Sequence, residues 1–155
     1  MRWTDALPSP TTPSLPGLHP LLQQILARRG ITTNEKAEAF LNPVLYSPAS
    51  ATALPGVEAA VERISAAIRN KERVLVWGDF DVDGQTATAL LVQTLRALGL
   101  DVGYHLPVRS RESHGVNTQG LQEEIDKGAQ LIVTCDTGIT SHTAADYARD
   151  RGVDM

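Results

Sequence analysis

The sequence predicts an α/β fold, a parallel sheet with helices on both faces, preceded by a small helical N-terminal region. Three short apolar runs rich in β-branched residues, at 74–77, 100–106 and 130–135, are typical of buried strands. A segment with helical periodicity follows each of them. Strand–helix alternation repeated in this way predicts parallel strands joined by right-handed crossovers.

Composition excludes several classes of protein. The chain has 155 residues, 42% of them hydrophobic and 21% charged, which is typical of a soluble globular protein. The formal charge of −4 does not indicate general affinity for nucleic acid, although a few arginines or metal ions can dominate a local cleft. The single cysteine, Cys135, excludes an internal disulfide and favours a reducing compartment. No run approaches 18 apolar residues and no signal peptide is evident, so we expect a cytoplasmic protein without a membrane partner.

The N-terminal part divides into an arm and a helical region. Residues 1–19 are rich in proline and predict an extended arm. In the helical region, 20–70, we expect helices over 20–29 (ended by Gly30), 33–41 (with Thr33 as the cap) and 57–68, and a loop over 43–55. We interpret this region as a helical appendage without a catalytic role.

Residues 71–155 carry the predicted sheet. Helices are expected from Gln85 to Leu98, over 118–127, and from a capping Ser141 to Arg151. Residues 153–155 resemble the beginning of a fourth strand. A doubly wound sheet cut there leaves apolar faces uncovered, so we expect the sequence to be part of a longer chain.

Three aspartates, Asp79, Asp81 and Asp83, alternate directly after the first predicted strand. Crowded carboxylates repel one another, and a bound divalent cation with a preference for hard oxygen ligands, Mg²⁺ or Mn²⁺, would offset this repulsion. Two alternatives are a solvated loop and a helix cap supplied by Asp83. The spacing also resembles a calcium loop, but the distal glutamate and the flanking helix pair are missing.

A fourth aspartate, Asp136, follows the third predicted strand. Because parallel strands present their carboxyl ends at one edge of the sheet, we expect four carboxylates to converge there.

The loop from 107 to 117 holds the densest cluster of groups that can bind phosphate. We expect Arg109, His114 and Asn117 to contact a substrate phosphate, and Arg111 belongs to the same cluster. The alternative is that the two arginines are merely solvated.

These segments resemble the DHH phosphoesterases, in the form carried by the RecJ single-strand-specific exonucleases. The resemblance covers roughly residues 20–155. It rests on the first motif at 78–87, the second motif at 133–139, the segment between them with Arg109, Glu112, Gly115 and Asn117 in matching places, and the lead-in at 29–31 and 40–43.

Three departures accompany the resemblance. The Asp-His-His motif that names the family is absent and is expected just after Met155, followed by a further ligand aspartate, a substrate-binding domain and an OB fold. Trp77 occupies a position where many DHH enzymes have a metal-binding histidine. Ser113 and His114 stand where a Gly-Tyr pair is usual.

The resemblance implies a two-metal site for Mn²⁺ or Mg²⁺, held by Asp81, Asp83 and Asp136 as catalytic ligands. Asp79 would assist, either as a ligand or as a hydrogen-bond acceptor beside the ions. The ions would activate a water and stabilise charge on the phosphodiester. Arg109 is the first candidate for holding the phosphate. We do not expect His105, His142 or Cys135 to be ligands or nucleophiles.

The resemblance therefore implies the first half of the catalytic domain of an exonuclease that degrades single-stranded DNA from the 5′ end, in DNA repair and recombination. We expect the 155-residue chain to be inactive alone, and a longer protein to have a single-strand-binding protein or a helicase as partner. One alternative is a DHH phosphodiesterase of short oligonucleotides or cyclic dinucleotides, which the N-terminal lead-in disfavours. Another is a metal-free DHH-fold replication scaffold, which the retained aspartates disfavour.

Overall fold

The computed structural model describes residues 15–155, so most of the predicted arm lies outside the described residues. The described residues form two compact units, 15–53 and 54–155. In residues 15–155, no helix combines the length and the apolar character needed to span a membrane.

The first unit contains two helices, α1 (Pro20–Arg28) and α2 (Asn34–Leu41). The hydroxyl of Thr33 accepts the Lys36 N–H at 3.3 Å, so this residue caps α2. Two short 3₁₀ helices, Pro43–Leu45 and Ala51–Ala53, lie within the segment that the sequence predicts as loop.

The core of the first unit includes a residue from the predicted extended arm. Leu15 is buried together with Leu26 and Ala37. Its carbonyl accepts the Leu18 N–H at 3.3 Å, which closes a turn just before α1. The described end of the arm is therefore folded onto the first helix.

The second unit is a three-stranded parallel sheet with helices, which confirms the predicted α/β fold. Its elements are α3 (Val57–Asn70), β1 (Arg73–Trp77), α4 (Val82–Ala97), β2 (Asp101–His105), α5 (Thr118–Asp126), β3 (Leu131–Thr134) and α6 (His142–Arg149). The predicted fourth strand is present as a single parallel bridge between Leu131 and Asp154.

Both faces of the sheet are covered by helices, because side chains of a strand alternate between its faces. Val74 and Val76 pack in a core with residues of α3 and α4. Leu75 and Trp77 pack on the opposite face with residues of α5 and α6. The alternation in β1 therefore places one apolar layer on each side.

Helix α3 belongs to the sheet unit, whereas the sequence pattern predicts it as part of the helical region 20–70. Ala67 is fully buried in the core formed with β1. Arg63 forms ion pairs with Glu72, at 2.7 Å, and with Asp154. The apolar stripe of α3 thus covers one face of the sheet.

The strand order is β2-β1-β3. The chain leaves β1 toward one side for β2 and then crosses to the other side for β3. Open α/β sheets bind ligands at the carboxyl ends of the strands where the order reverses in this way. Here that place lies between the ends of β1 and β3.

Candidate active site

Two glycines let α4 begin directly against the end of β1. A Cβ added to Gly84 would lie 2.6 Å from both the backbone nitrogen and the carbonyl oxygen of Asp79. A Cβ added to Gly78 would lie 2.0 Å from the Thr88 hydroxyl oxygen, which itself donates to the Gly84 carbonyl at 2.7 Å. Strand end and helix start are therefore in backbone contact, and the geometry of the aspartate turn depends on it.

Asp81 caps α4. Its Oδ1 accepts the Gly84 N–H at 3.0 Å, and the helix begins at Val82, three residues before the predicted Gln85. The alternative in which Asp83 is the cap is wrong, because Asp83 lies exposed in the first helical turn. Both carboxylates stand at the positive end of the helix dipole.

Asp79 is the most buried of the four aspartates, with 8% exposure. Its Oδ1 accepts the Phe80 N–H at 2.7 Å, and its Oδ2 lies 3.4 Å from Nδ1 of His114. This carboxylate therefore has partners on both the strand end and the 107–117 loop.

Asp136 follows β3 and has a left-handed backbone, with φ of +57°. Among residues with a side chain, aspartate and asparagine adopt this conformation most readily. Local desolvation raises the pKa of the Asp136 carboxyl, and the negative charges of Asp81, Asp83 and Asp79 raise it further. Because β1 and β3 are parallel neighbours, Asp136 lies at the same edge of the sheet as the aspartates that follow β1.

These carboxylates are not arranged around an ion. Within residues 15–155, no group of three or more His, Cys, Asp or Glu side chains has a metal-binding arrangement. Asp81 and Asp79 are turned to the N–H groups of Gly84 and Phe80 instead. Their role as ligands therefore stays a prediction.

Arg109 and His114 contact the same aromatic ring beside the aspartates. The guanidinium carbon of Arg109 lies 5.0 Å from the centroid of the Phe80 ring, within cation–π range. The His114 ring is 4.5 Å from Phe80, and its side chain is 74% exposed. The two predicted phosphate-binding residues thus flank the acidic turn and remain open to solvent.

Asn117, the third predicted phosphate-binding residue, is engaged within the protein. Its Oδ1 accepts the Gly120 N–H at 2.7 Å and caps α5, and its Nδ2 donates to Glu112 at 3.1 Å. The amide oxygen and one of the two amide N–H groups are therefore used to hold the start of α5, and the second N–H is the one that a phosphate could accept.

A known protein family matches the segment that carries the sheet and the four aspartates. The family model described as "DHH family, N-terminal domain" matches residues 73–155, more than half of the chain. The chain belongs to the DHH family. The resemblance predicted from the aspartate motifs is confirmed.

Curated relatives of this DHH chain carry the name single-stranded-DNA-specific exonuclease RecJ. The protein from Escherichia coli (strain K12) is 39% identical over 92% of the chain and 24% of its own length. The protein from Bacillus subtilis (strain 168) is 34% identical over 88% of the chain and 17% of its own length. The chain therefore spans only about a quarter or less of the relatives it matches.

A solved structure supports the same relationship. The crystal structure of exonuclease RecJ bound to manganese superposes with a TM-score of 0.61 and 38% identity, covering 64% of this chain and 26% of that one.

Trp77 takes no part in the acidic edge, and its environment explains why. It is fully buried in the core shared with α5 and α6. The His105 ring stacks on it, with 3.9 Å between centroids. His105 Nε2 also lies 2.9 Å from Glu112 Oε2, so this histidine has a structural partner.

Sequence reasoning does not identify two residues beside the aspartates that the structure brings forward. Phe80 lies between Asp79 and Asp81, and its ring contacts both Arg109 and His114. Glu112 matches the family motif in sequence, and the structure adds that it forms the hydrogen bonds that close the loop.

The prediction that Ser141 caps the last helix is wrong in its detail. Ser141 precedes α6 but makes no cap hydrogen bond. Its Oγ instead accepts the Val116 N–H at 3.3 Å, which ties the loop to the start of α6.

Proposed function

We propose that this chain is the metal-binding part of a RecJ-like exonuclease that hydrolyses phosphodiester bonds of single-stranded DNA from the 5′ end. The observation that carries the proposal is that Asp79, Asp81 and Asp83 follow β1 while Asp136 follows its parallel neighbour β3, so that all four stand at the carboxyl edge of the sheet. The RecJ relatives at 34–39% identity support the substrate class.

The donor set fits a hard divalent cation. All four groups are carboxylates, and carboxylate oxygens are the ligands that Mg²⁺ and Mn²⁺ prefer. Mutual repulsion at Asp136 also favours a cation over further anions. The manganese-bound RecJ structure supports Mn²⁺ as the first metal to test.

In this proposal Asp81, Asp83 and Asp136 hold two Mn²⁺ or Mg²⁺ ions, with Asp79 as a further ligand or as an acceptor beside them. Bound divalent ions would supply an activated water and charge stabilisation for phosphodiester hydrolysis. Only Oδ1 of Asp81 accepts the Gly84 N–H, so the second carboxylate oxygen can bind an ion while the helix cap is kept.

Arg109 and His114 hold the substrate phosphate in the proposed complex. Their exposed side chains stand on the loop side of the carboxylates, and both contact Phe80, which limits the directions they can take. A guanidinium can donate two parallel hydrogen bonds to a phosphate, so Arg109 has the larger share. Asn117 would contribute through the amide N–H that its bond to Glu112 does not use.

The proposal is tested by measuring how tightly the purified chain binds single-stranded DNA. We expect the purified chain to bind a labelled oligothymidylate in the presence of Mn²⁺, and to bind the matching duplex more weakly. Asp81→Asn and Asp136→Asn should abolish the Mn²⁺ dependence. Asp101→Asn is the matched control, since Asp101 begins β2 at the opposite edge of the sheet. Equal affinity for duplex and single strand, or a Mn²⁺ dependence that survives both substitutions, would contradict the proposal.

We also propose that the 155-residue chain binds without turnover, because the Asp-His-His motif that the family resemblance implies as part of the ligand set is absent from it. Manganese-dependent release of nucleotides from single-stranded DNA by this chain would contradict it. In a longer RecJ-like chain, Asp81→Ala or Asp136→Ala should abolish turnover. We further propose that the full-length protein acts in DNA repair and recombination in the cytoplasm. Its partner there would be a single-strand-binding protein or a helicase.

A further inference from the structure

Glu112 is the centre of a hydrogen-bond network that closes the 107–117 loop on itself. Its Oε1 accepts the Val108 N–H at 3.0 Å. Its Oε2 accepts from Nδ2 of Asn117 at 3.1 Å and from Nε2 of His105 at 2.9 Å. One carboxylate thus joins the end of β2, the start of the loop and the start of α5.

The hydrogen bonds that join Glu112 to Val108 and to Asn117 lie on either side, in sequence, of the residues beside the four aspartates. Val108 immediately precedes Arg109, and Asn117 follows His114 by three positions. The backbone is therefore fixed one residue before the guanidinium that lies over Phe80. The pKa of Glu112 is lowered, first by the Val108 N–H and then by His105 and Asn117, so the anchor is anionic at neutral pH.

We infer that Glu112 is a positioning residue for single-stranded DNA, which holds the loop so that Arg109 meets a backbone phosphate beside the four aspartates. This inference rests on the proposed function. It assigns no direct contact with DNA to Glu112.

Electrostatics alone gives the opposite expectation. Glu112 lines a groove of about 600 Å³ together with Arg111 and Glu123. Removing a negative charge from a surface near DNA tightens binding, since the phosphates are negative. Positioning predicts weaker binding, because a free loop must be ordered when DNA binds, which costs about two- to tenfold in affinity. The sign of the change therefore separates the two effects.

Glu123→Gln is the matched control. Glu123 lines the same groove, and within residues 15–155 its carboxylate makes no hydrogen bond to the loop. Its replacement removes the same charge and leaves the loop closed. We expect Glu123→Gln to leave oligothymidylate affinity unchanged or to raise it, and Glu112→Gln to lower it.

A double-mutant cycle with Arg109→Gln gives the decisive readout. In the parent chain Arg109→Gln should weaken binding of a labelled oligothymidylate, measured by anisotropy with Mn²⁺, and should reduce the salt slope by about 0.7. In the Glu112→Gln background the same substitution should have a smaller effect on both quantities, because the loop no longer holds Arg109 in place for the phosphate. Urea denaturation confirms folding. Glu112→Asp, which keeps the charge but is one methylene shorter, serves as the second variant and should also weaken binding.

The outcomes distinguish the inference from the proposed function. No binding by the parent chain would overturn the proposed function and this inference with it. Binding by the parent chain with an undiminished Arg109 effect in the Glu112 variants, or with tighter binding by Glu112→Gln, would overturn the inference alone.

Discussion

Gly84→Ala tests whether the aspartate turn depends on backbone contact between β1 and α4. The added Cβ would lie 2.6 Å from the Asp79 nitrogen and oxygen, and ordinary contact begins at 3.4 Å, so the backbones must separate by about 0.8 Å. Gly84 cannot move freely, because its N–H is held by Asp81 and its carbonyl by Thr88.

The free energy of unfolding gives a prediction with a definite sign. Glycine to alanine inside a helix normally stabilises by about 1 kcal/mol. Overpacking costs about 1–3 kcal/mol, and loss of the Asp81 cap adds about 1 kcal/mol. We therefore expect a net loss of about 1–3 kcal/mol in urea denaturation followed by far-UV circular dichroism. Because Asp79 and Asp81 are displaced, Mn²⁺ affinity should fall about tenfold as well.

Ala89→Gly, at an exposed position of the same helix, measures helix propensity without a clash. It should cost about 1 kcal/mol and leave Mn²⁺ affinity unchanged. Stabilisation by Gly84→Ala with parental Mn²⁺ affinity would refute the close-contact argument.

Three further predictions concern single residues. Hydrogen bonds from Arg63 and Asn70 lower the pKa of Glu72, so the charged carboxylate stabilises the fold above its ordinary pKa of 4.5 and this stabilisation is lost as the pH falls through the lowered pKa. The free energies of unfolding of the parent and of Glu72→Gln, measured in urea, should therefore differ above pH 4.5 and converge in acid. Asn117→Ala should cost about 1 kcal/mol through loss of the α5 cap, and Asn117→Ser should recover most of it in the same assay. The raised pKa of Asp136 means that its charged form destabilises the fold, so the free energy of unfolding falls as the pH rises from 3.8 through the raised pKa. In EDTA at neutral pH, Asp136→Asn should therefore melt no lower than the parent chain. A clearly lower Tm would contradict repulsion between Asp136 and the neighbouring carboxylates.

The sequence predicts the sheet unit well because its signals are local and consistent. Apolar runs with β-branched residues mark β1 and β3, and glycines follow the helices where predicted. Apolar periodicity predicts the start of α4 three residues too late, at Gln85, because the periodic apolar residues begin after the capping turn. The capping preference of Asp81 was the better signal there.

The site could be predicted only in part. Strand-end aspartates follow from the topology, so their convergence was foreseeable. The hydrogen bonds of Glu112, Asn117 and Ser141 join residues in a loop without periodicity, and nothing in the local pattern indicates which partner each side chain takes. For Asn117 the sequence predicts a phosphate contact and the structure adds a cap of α5, because cap and ligand roles favour the same residue type.

Mn²⁺ titration by calorimetry tests the central claim most directly, with the parent chain, Asp81→Asn, Asp136→Asn and the double variant. If carboxylates from the ends of β1 and β3 share an ion, each single substitution should weaken binding at least about tenfold, and the double variant should lose far less than the product of the two. Parental Mn²⁺ affinity in Asp136→Asn would show that β3 does not contribute to the site and would contradict the account.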